Sequence, residues 1–255
     1  MTRSHYPRPA LLISFSGVDG AGKSTQIDNA CSRLQQEGLS YRLLTFWDDA
    51  ARLKSVREGA GHRIFGGDQG VGSPEKPIER RDKNVRSPLM TFVRLGLYTL
   101  DALSLRRVAR RALRSGVDVV IFDRYIFDEL ANLDLRNPAA RLFVRAIARL
   151  VPRPQLAIVL DANPAQAHAR KPEYPLPFLI ENRNAYLRLS EFLGRMTVIA
   201  PMPLDRAKSE VARRVLQLAL VRRMRNADVP VVTLRPGAAA QDLQPDADGV
   251  RPVAS

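Results

Sequence analysis

The run Gly17-Val18-Asp19-Gly20-Ala21-Gly22-Lys23-Ser24 constrains this chain more than any other segment. It satisfies G-x-x-x-x-G-K-[ST], and its surroundings are those the pattern needs to work. Upstream, Ala10 to Ser16 is a short apolar run with β-branched and aromatic residues between Pro9 and Gly17, which reads as a buried strand. Downstream, Ile27, Ala30, Cys31 and Leu34 recur at helical spacing within Lys23 to Glu37, and Gly38 stands at the C-terminal cap. A strand that enters a helix through glycines gathers several backbone N–H donors around one point, with the positive end of the helix dipole behind them. A polyphosphate is the ligand for such a cradle. The candidate nucleotide-binding residues are therefore Gly17, Asp19, Gly20, Ala21, Gly22, Lys23, Ser24 and Thr25. Lys23 is placed to reach the β- and γ-phosphates of ATP, and the Ser24 hydroxyl to ligate Mg²⁺. The bland alternative, a Gly-rich structural turn, does not account for this strand and helix on either side.

The remaining pattern alternates strands and helices. Tyr41 to Phe46 reads as a second strand, and Pro88 to Arg114 as a long helix with Pro88 in its first turn and Gly116 just past its end. Val117 to Phe122 is a continuous apolar strand ending on Asp123; Pro138 to Val151 is an amphipathic helix; Gln155 to Leu160 is another buried strand ending on Asp161. Asn163 and Pro164 read as cap and first position of a further helix. Pro177 to Gly194 is helical, Met196 to Ala200 a short strand, and Asp205 to Arg225 a last helix. Strands apolar throughout, separated by helices, predict an α/β fold whose parallel sheet is covered on both faces. One domain is expected over 10–225, with a tail at 1–9. Within it, 59–87 is rich in glycine, with Pro74 and Pro77, and reads as a long mobile loop. The stretch 226–255 is poor in large apolar residues beyond Gly237 and reads as a disordered tail, with Val229 to Leu234 an unplaced strand candidate.

Composition narrows the class further. At 255 residues and 45% hydrophobic the chain can bury a substantial core. The single Cys31 excludes a disulfide framework and reads as a buried helix residue in a reducing cytoplasm. No apolar run approaches the roughly 18 residues of a membrane helix, so a cytoplasmic protein without a membrane partner is expected. The net charge of +14 is mostly arginine. Nucleic acid would suit that balance, but the arginines are spread over several helices, and Arg141, Arg145 and Arg149 share one face of the kind normally left to solvent. Nucleic acid is not the expected partner.

Asp123, at the carboxyl end of an apolar strand, would face the ligand crevice of a parallel sheet and serve as the metal-side carboxylate. Arg124 follows at once, and a guanidinium suits a phosphate or a transferring phosphoryl group. A solvent-exposed Asp-Arg pair is the alternative. Four segments together are specific. FSGVDGAGKSTQ (Phe15 to Gln26), the DRY of Asp123 to Tyr125, LDANPAQAHARKPEYP (Leu160 to Pro175), and the spacing of Phe178, Arg183 and Tyr186 resemble the thymidylate kinase family of P-loop nucleoside monophosphate kinases. The likeness runs from about Leu11 to Val215. It implies a P-loop NTPase three-layer α/β/α fold with a five-stranded parallel sheet, ATP with Mg²⁺, and transfer of the γ-phosphoryl group to dTMP in nucleotide biosynthesis. It also implies catalytic roles for Lys23, Asp123, Arg124 and Arg170, metal contacts from Ser24 and Asp123, an acceptor-facing Asp19, and a lid over 170–177. A homodimer is implied too, for which the Pro88 to Arg114 helix could supply the interface.

The chain departs from the family on the acceptor side. Where the resemblance implies Arg-Glu-Pro-Gly-Gly after the second strand, it has Phe46-Trp47-Asp48-Asp49-Ala50-Ala51-Arg52. Where an Asp-Arg pair is implied on the long helix, it has Asp101-Ala102, and the lid carries only Arg170 and Lys171. A monophosphate still needs cations, and Arg52, Arg86 and Arg94 are the candidate substitutes. Trp47 either stacks on a base or packs in the core. Two other functions remain open: a kinase of the same fold acting on another nucleoside or small phosphorylated metabolite, and a slow nucleotide-binding regulatory protein.

Overall fold

A computed structural model of the protein describes residues 9–50 and 88–227. The expected tails, the 59–87 loop, the Val229 to Leu234 strand, and Arg52 and Arg86 lie outside those residues, except that the last helix runs on to Ala227. Five strands form one sheet: β1 (Leu11–Gly17), β2 (Tyr41–Thr45), β3 (Val119–Asp123), β4 (Leu156–Leu160) and β5 (Thr197–Ile199). Their spatial order is β2-β3-β1-β4-β5, and every pairing is parallel. The central strand β1 is buried at all seven positions. Its register sets Phe15 beside Asp123 on one side and Gly17 beside Leu160 on the other.

Successive side chains of a strand point to opposite faces, so each strand feeds two cores. Leu11, Ile13 and Phe15 of β1 pack with Val119 and Ile121 of β3 against α1 (Lys23–Gln36) and the last helix, called α7 below (Leu204–Ala227). Leu12 of β1, Val120 and Phe122 of β3, and Ala157 and Val159 of β4 face the other layer. That layer holds α2 (Pro88–Leu113), α3 (Ile126–Leu130), α4 (Pro138–Leu150) and α6 (Leu176–Leu193), while α5 (Pro164–Arg170) bridges β4 to α6. The expected three-layer arrangement is present. The Asn163 side chain accepts from the N–H groups of Ala165 and Gln166, so that Asn-Pro start behaves as the sequence indicates, and Asn137 accepts likewise from Ala139 ahead of α4. Cys31 is buried on α1, as expected. Among the described residues no helix is long and apolar enough to cross a membrane.

Two elements carry no signal in the sequence. Phe46–Ala50 forms one π-helical turn, started by Asp49 Oδ2 accepting from Thr45 N–H at 2.7 Å, with Phe46 and Ala50 fully buried beneath it. α3 is a five-residue helix entirely inside the protein. Both are too short to show a period. Chain order leaves β1 toward β3 and β2, then returns to β4 and β5, so the sheet reverses direction beside β1. A crevice opens beyond the carboxyl ends of strands at such a point, where Gly17, Asp123 and Asp161 stand.

Candidate active site

The loop between β1 and α1 is shaped by glycines. Gly20 has φ +80°, and a Cβ there would strike the main-chain carbonyl of Ala167, so α5 rests directly on the loop. Gly22, with φ +87°, caps α1 without a side chain to occupy the helix's free N–H groups, and the first turn of α1 holds no acidic residue. Those donors stay available to an anion, as the sequence pattern requires. Ser24 and Thr25 are exposed at the same end.

Lys23 is buried and folds back on the loop, donating from Nζ to the carbonyls of Gly17 and Val18, each at 2.9 Å, with Asp19 3.7 Å away. Burial and the nearby Arg124 charge bring its pKa down to about 8, against the pull of Asp19, Asp128 and Asp123. Burial would push the Asp19 carboxyl up, but Arg124, Lys23 and Lys171 outweigh it and hold Asp19 below its ordinary value.

Arg124 is the one non-glycine residue with positive φ among those described, at 65°. Its N–H still bonds the Phe15 carbonyl at 2.9 Å, but the backbone turns sharply from β3 into α3. The guanidinium lies between two carboxylates. Nη2 donates to Asp19, and Nη1 donates to Asp128 Oδ1 at 3.1 Å. Burial lowers its proton affinity, and Asp128 and Asp19 more than restore it. Asp123 ends β3 alongside. Its Oδ1 is buried without a hydrogen-bond partner, and burial raises its pKa despite Lys23 and Arg124. A cation or its water shell is the natural complement of such an oxygen. Among the described residues no group of three or more His, Cys, Asp or Glu could hold a metal by itself.

Arg170, at the end of α5, donates to the Gly20 carbonyl at 3.1 Å and so ties that end of the helix to the phosphate loop. Arg183 forms a two-pronged ion pair with Asp161 (2.5 and 2.7 Å), fastening α6 to the end of β4. Tyr174 and Phe178, on either side of the start of α6, stack with ring centroids 5.0 Å apart. Asp128 was not among the expected residues. It sits at the third position of α3, where its side chain accepts from the N–H of the capping Tyr125, and an acidic residue three positions after a helix cap is the signal that points to it. Tyr186 donates to it from α6 at 2.8 Å.

Of the acceptor-side candidates, Trp47, Asp101 and Arg94 fall within the described residues, and the turn that holds Trp47 packs against α2. Trp47 packs edge-on to Phe46, 4.9 Å between centroids, against the core, which favours the packing reading. Asp101 and Ala102 are both buried. Arg94 is partly buried on α2 and already engaged. A shallow cleft of about 610 Å³ between β5 and α7, lined by residues such as Ile199, Met202, Arg206 and Arg213, contains none of the groups above.

No protein-family model matches the chain. A probable thymidylate kinase from Pyrobaculum aerophilum is 36% identical over 81% of this chain and 95% of its own length. Another, from Archaeoglobus fulgidus, is 29% identical over 81% of this chain and 95% of its own. Among solved structures, a thymidylate kinase from Ehrlichia chaffeensis superposes with a TM-score of 0.52 at 18% identity, covering 82% of this chain and 99% of that one. The structural likeness shows the fold.

Proposed function

The chain belongs to the thymidylate kinase family, and from that premise we propose that it transfers the γ-phosphoryl group of ATP to dTMP, giving ADP and dTDP. It is a phosphotransferase of the nucleoside monophosphate kinase type. The observation that carries the detailed reading is the convergence of Lys23, Asp19 and Arg124 on the glycine loop at the switch point of the sheet.

In this mechanism an oxygen of the acceptor phosphate attacks the γ-phosphorus, the bond from that phosphorus to the ADP oxygen breaks, and ADP leaves with the electron pair. Two anions must be held in line and their repulsion neutralised, so positioning and charge do most of the catalysis. The N–H groups of Gly17 to Thr25 hold the triphosphate. Lys23 exchanges its bonds to the Gly17 and Val18 carbonyls for the β- and γ-phosphates. Arg124, held at the edge of the acceptor side by Asp19, meets the transferring group, and Arg170 closes from α5. Mg²⁺, when bound, would neutralise phosphate charge, held by the exposed Ser24 hydroxyl and the unpartnered oxygen of Asp123. Tyr174 and Phe178 shield the closed lid from water.

One observation favours a second reading, a kinase of the same fold acting on another nucleoside or small phosphorylated metabolite. Ala102 is fully buried beside Asp101, so α2 offers no arginine where the family likeness implies one. A coupled ADP-release assay with ATP–Mg²⁺ against a panel of monophosphates and nucleosides separates the two. Preference for dTMP supports the first; turnover confined to other acceptors replaces it with the second.

A further inference from the structure

Asp128 lies outside the motifs that named the site, yet its carboxylate, 2% exposed, collects four donors. Oδ2 accepts from the Ser16 hydroxyl at 2.7 Å and from the Tyr125 N–H at 3.1 Å. Oδ1 accepts from Arg124 Nη1 at 3.1 Å and from the Tyr186 hydroxyl at 2.8 Å. These donors come from β1, from the turn into α3, and from α6. A buried carboxyl group survives only when its oxygens are satisfied in this way.

We propose that Asp128 is the positioning residue that aims Arg124 at the transferring phosphoryl group, and that Tyr186 links this aim to the helix that begins within the lid. The proposal rests on the phosphoryl-transfer reading above. Arg124 sits in left-handed backbone geometry at a strand-to-helix turn, so β3 alone does not fix the direction of its side chain. Two of its donors are taken, one by Asp19 and one by Asp128, and the rest of the fork is left for a ligand. Asp19 is on the phosphate loop itself and also faces Lys23. When the triphosphate draws Lys23 out, that side of the clamp rearranges. Asp128, buried in the scaffold, does not move with it. Tyr186 shares Oδ1 with Arg124 and belongs to α6, which begins at Leu176, within the last positions of the 170–177 lid, and is fastened by Arg183 to Asp161. A shift of α6 therefore reaches the arginine through one oxygen.

The test is a double-mutant cycle with ATP–Mg²⁺ and dTMP. Asp128→Asn keeps the shape but turns one accepting oxygen into a donor. It is expected to lower turnover about 10- to 100-fold, mainly in kcat, with KM for ATP within about threefold of the parent. Tyr186→Phe removes a single hydroxyl and is expected to cost about 3- to 10-fold. In an Arg124→Ala background both losses should shrink to less than about twofold, because nothing remains to aim. Equal losses with and without Arg124, or full activity in both variants, would make Asp128 scaffolding only and overturn the proposal. Should Asp128→Asn not fold, the Tyr186→Phe arm of the cycle decides alone. A parent protein that binds a fluorescent ATP analogue but ignores dTMP would sink the acceptor reading instead. The decision then passes to ¹⁵N-arginine spectra of that nucleotide-bound protein: separate, slowly rotating Nη signals of Arg124 should merge in Asp128→Asn, and unaltered signals would overturn the positioning role.

Discussion

Lys23 balances against its neighbours so closely that its charge depends on the pH near neutrality. Burial and Arg124 disfavour the ammonium and bring its pKa to about 8, although three carboxylates oppose them. Below that value the side chain carries the charge that phosphates need. Above it, the free protein must take up a proton before it can grip the triphosphate. ATP affinity is thus expected to be flat below pH of about 8 and to fall about tenfold per unit above it, until the pKa of the bound state is reached. Calorimetric titration in buffers of different ionisation enthalpy should show proton uptake on binding in the alkaline range. Affinity that does not change between about pH 7 and about pH 9.5 would mean Lys23 is not the group in contact. Much of this residue-level site was legible beforehand because its logic is local: glycines, a lysine and a strand-end Asp-Arg pair at short spacing. Asp128 was not, because its meaning depends on a five-residue helix and on Tyr186, 58 positions away. The acceptor arginines were not legible for a related reason: the family's segment is absent, and charge alone does not say which of many arginines replaces it.

At the level of elements, the strands and long helices follow from apolar run length and from a cap such as Asn163. The π-helical turn at Phe46–Ala50 was legible only as residues that depart from a pattern; that they form a buried turn depends on Asp49 reaching Thr45. The seating of α5 on the phosphate loop is likewise invisible in one dimension. It leads to a contrast between two glycines with similar backbone angles. Gly22 has open space where a Cβ would go, so Gly22→Ala should cost only the left-handed strain, about 1–2 kcal/mol. At Gly20 the same strain is joined by collision with the Ala167 carbonyl, main chain that cannot rotate away. Gly20→Ala must therefore lift α5, and with it the Arg170 bond to the loop, and should cost at least about 1 kcal/mol more than Gly22→Ala. Urea unfolding without nucleotide measures both. Equal losses would show that α5 does not rest on the loop in solution.

At the scale of the whole molecule, the +14 charge is unevenly placed, and this bears on self-association. Beyond Asp101 the rest of α2 carries Arg106, Arg107, Arg110 and Arg111, and α4, packed against it, carries Arg141, Arg145 and Arg149, with no acidic residue in either stretch. Among the described residues none of these seven forms an ion pair; Arg141 and Arg145 lie over the Phe192 ring instead. α7 is different, since Glu210 there binds both Arg213 and Arg214. The other half of α2 is apolar on its outer side, with Phe92 72%, Val93 41% and Leu100 55% exposed. Gly96 lies between them with nothing near the place of its missing side chain, so a second helix can approach closely there. The dimer expected from the family likeness would pair these stripes across a two-fold axis, and the +14 charge of each copy opposes that approach. Apolar attraction then works against like-charge repulsion, and salt weakens only the repulsion, because charges at the rim are screened over about 10 Å at 0.1 M ionic strength. Dimerisation measured by sedimentation should tighten between about 50 mM and about 500 mM salt, contrary to an interface built on ion pairs. Phe92→Asp should give a monomer at every salt concentration while leaving nucleotide binding in place. A dimer that loosens with salt, or that survives Phe92→Asp, would place the contact on some other face.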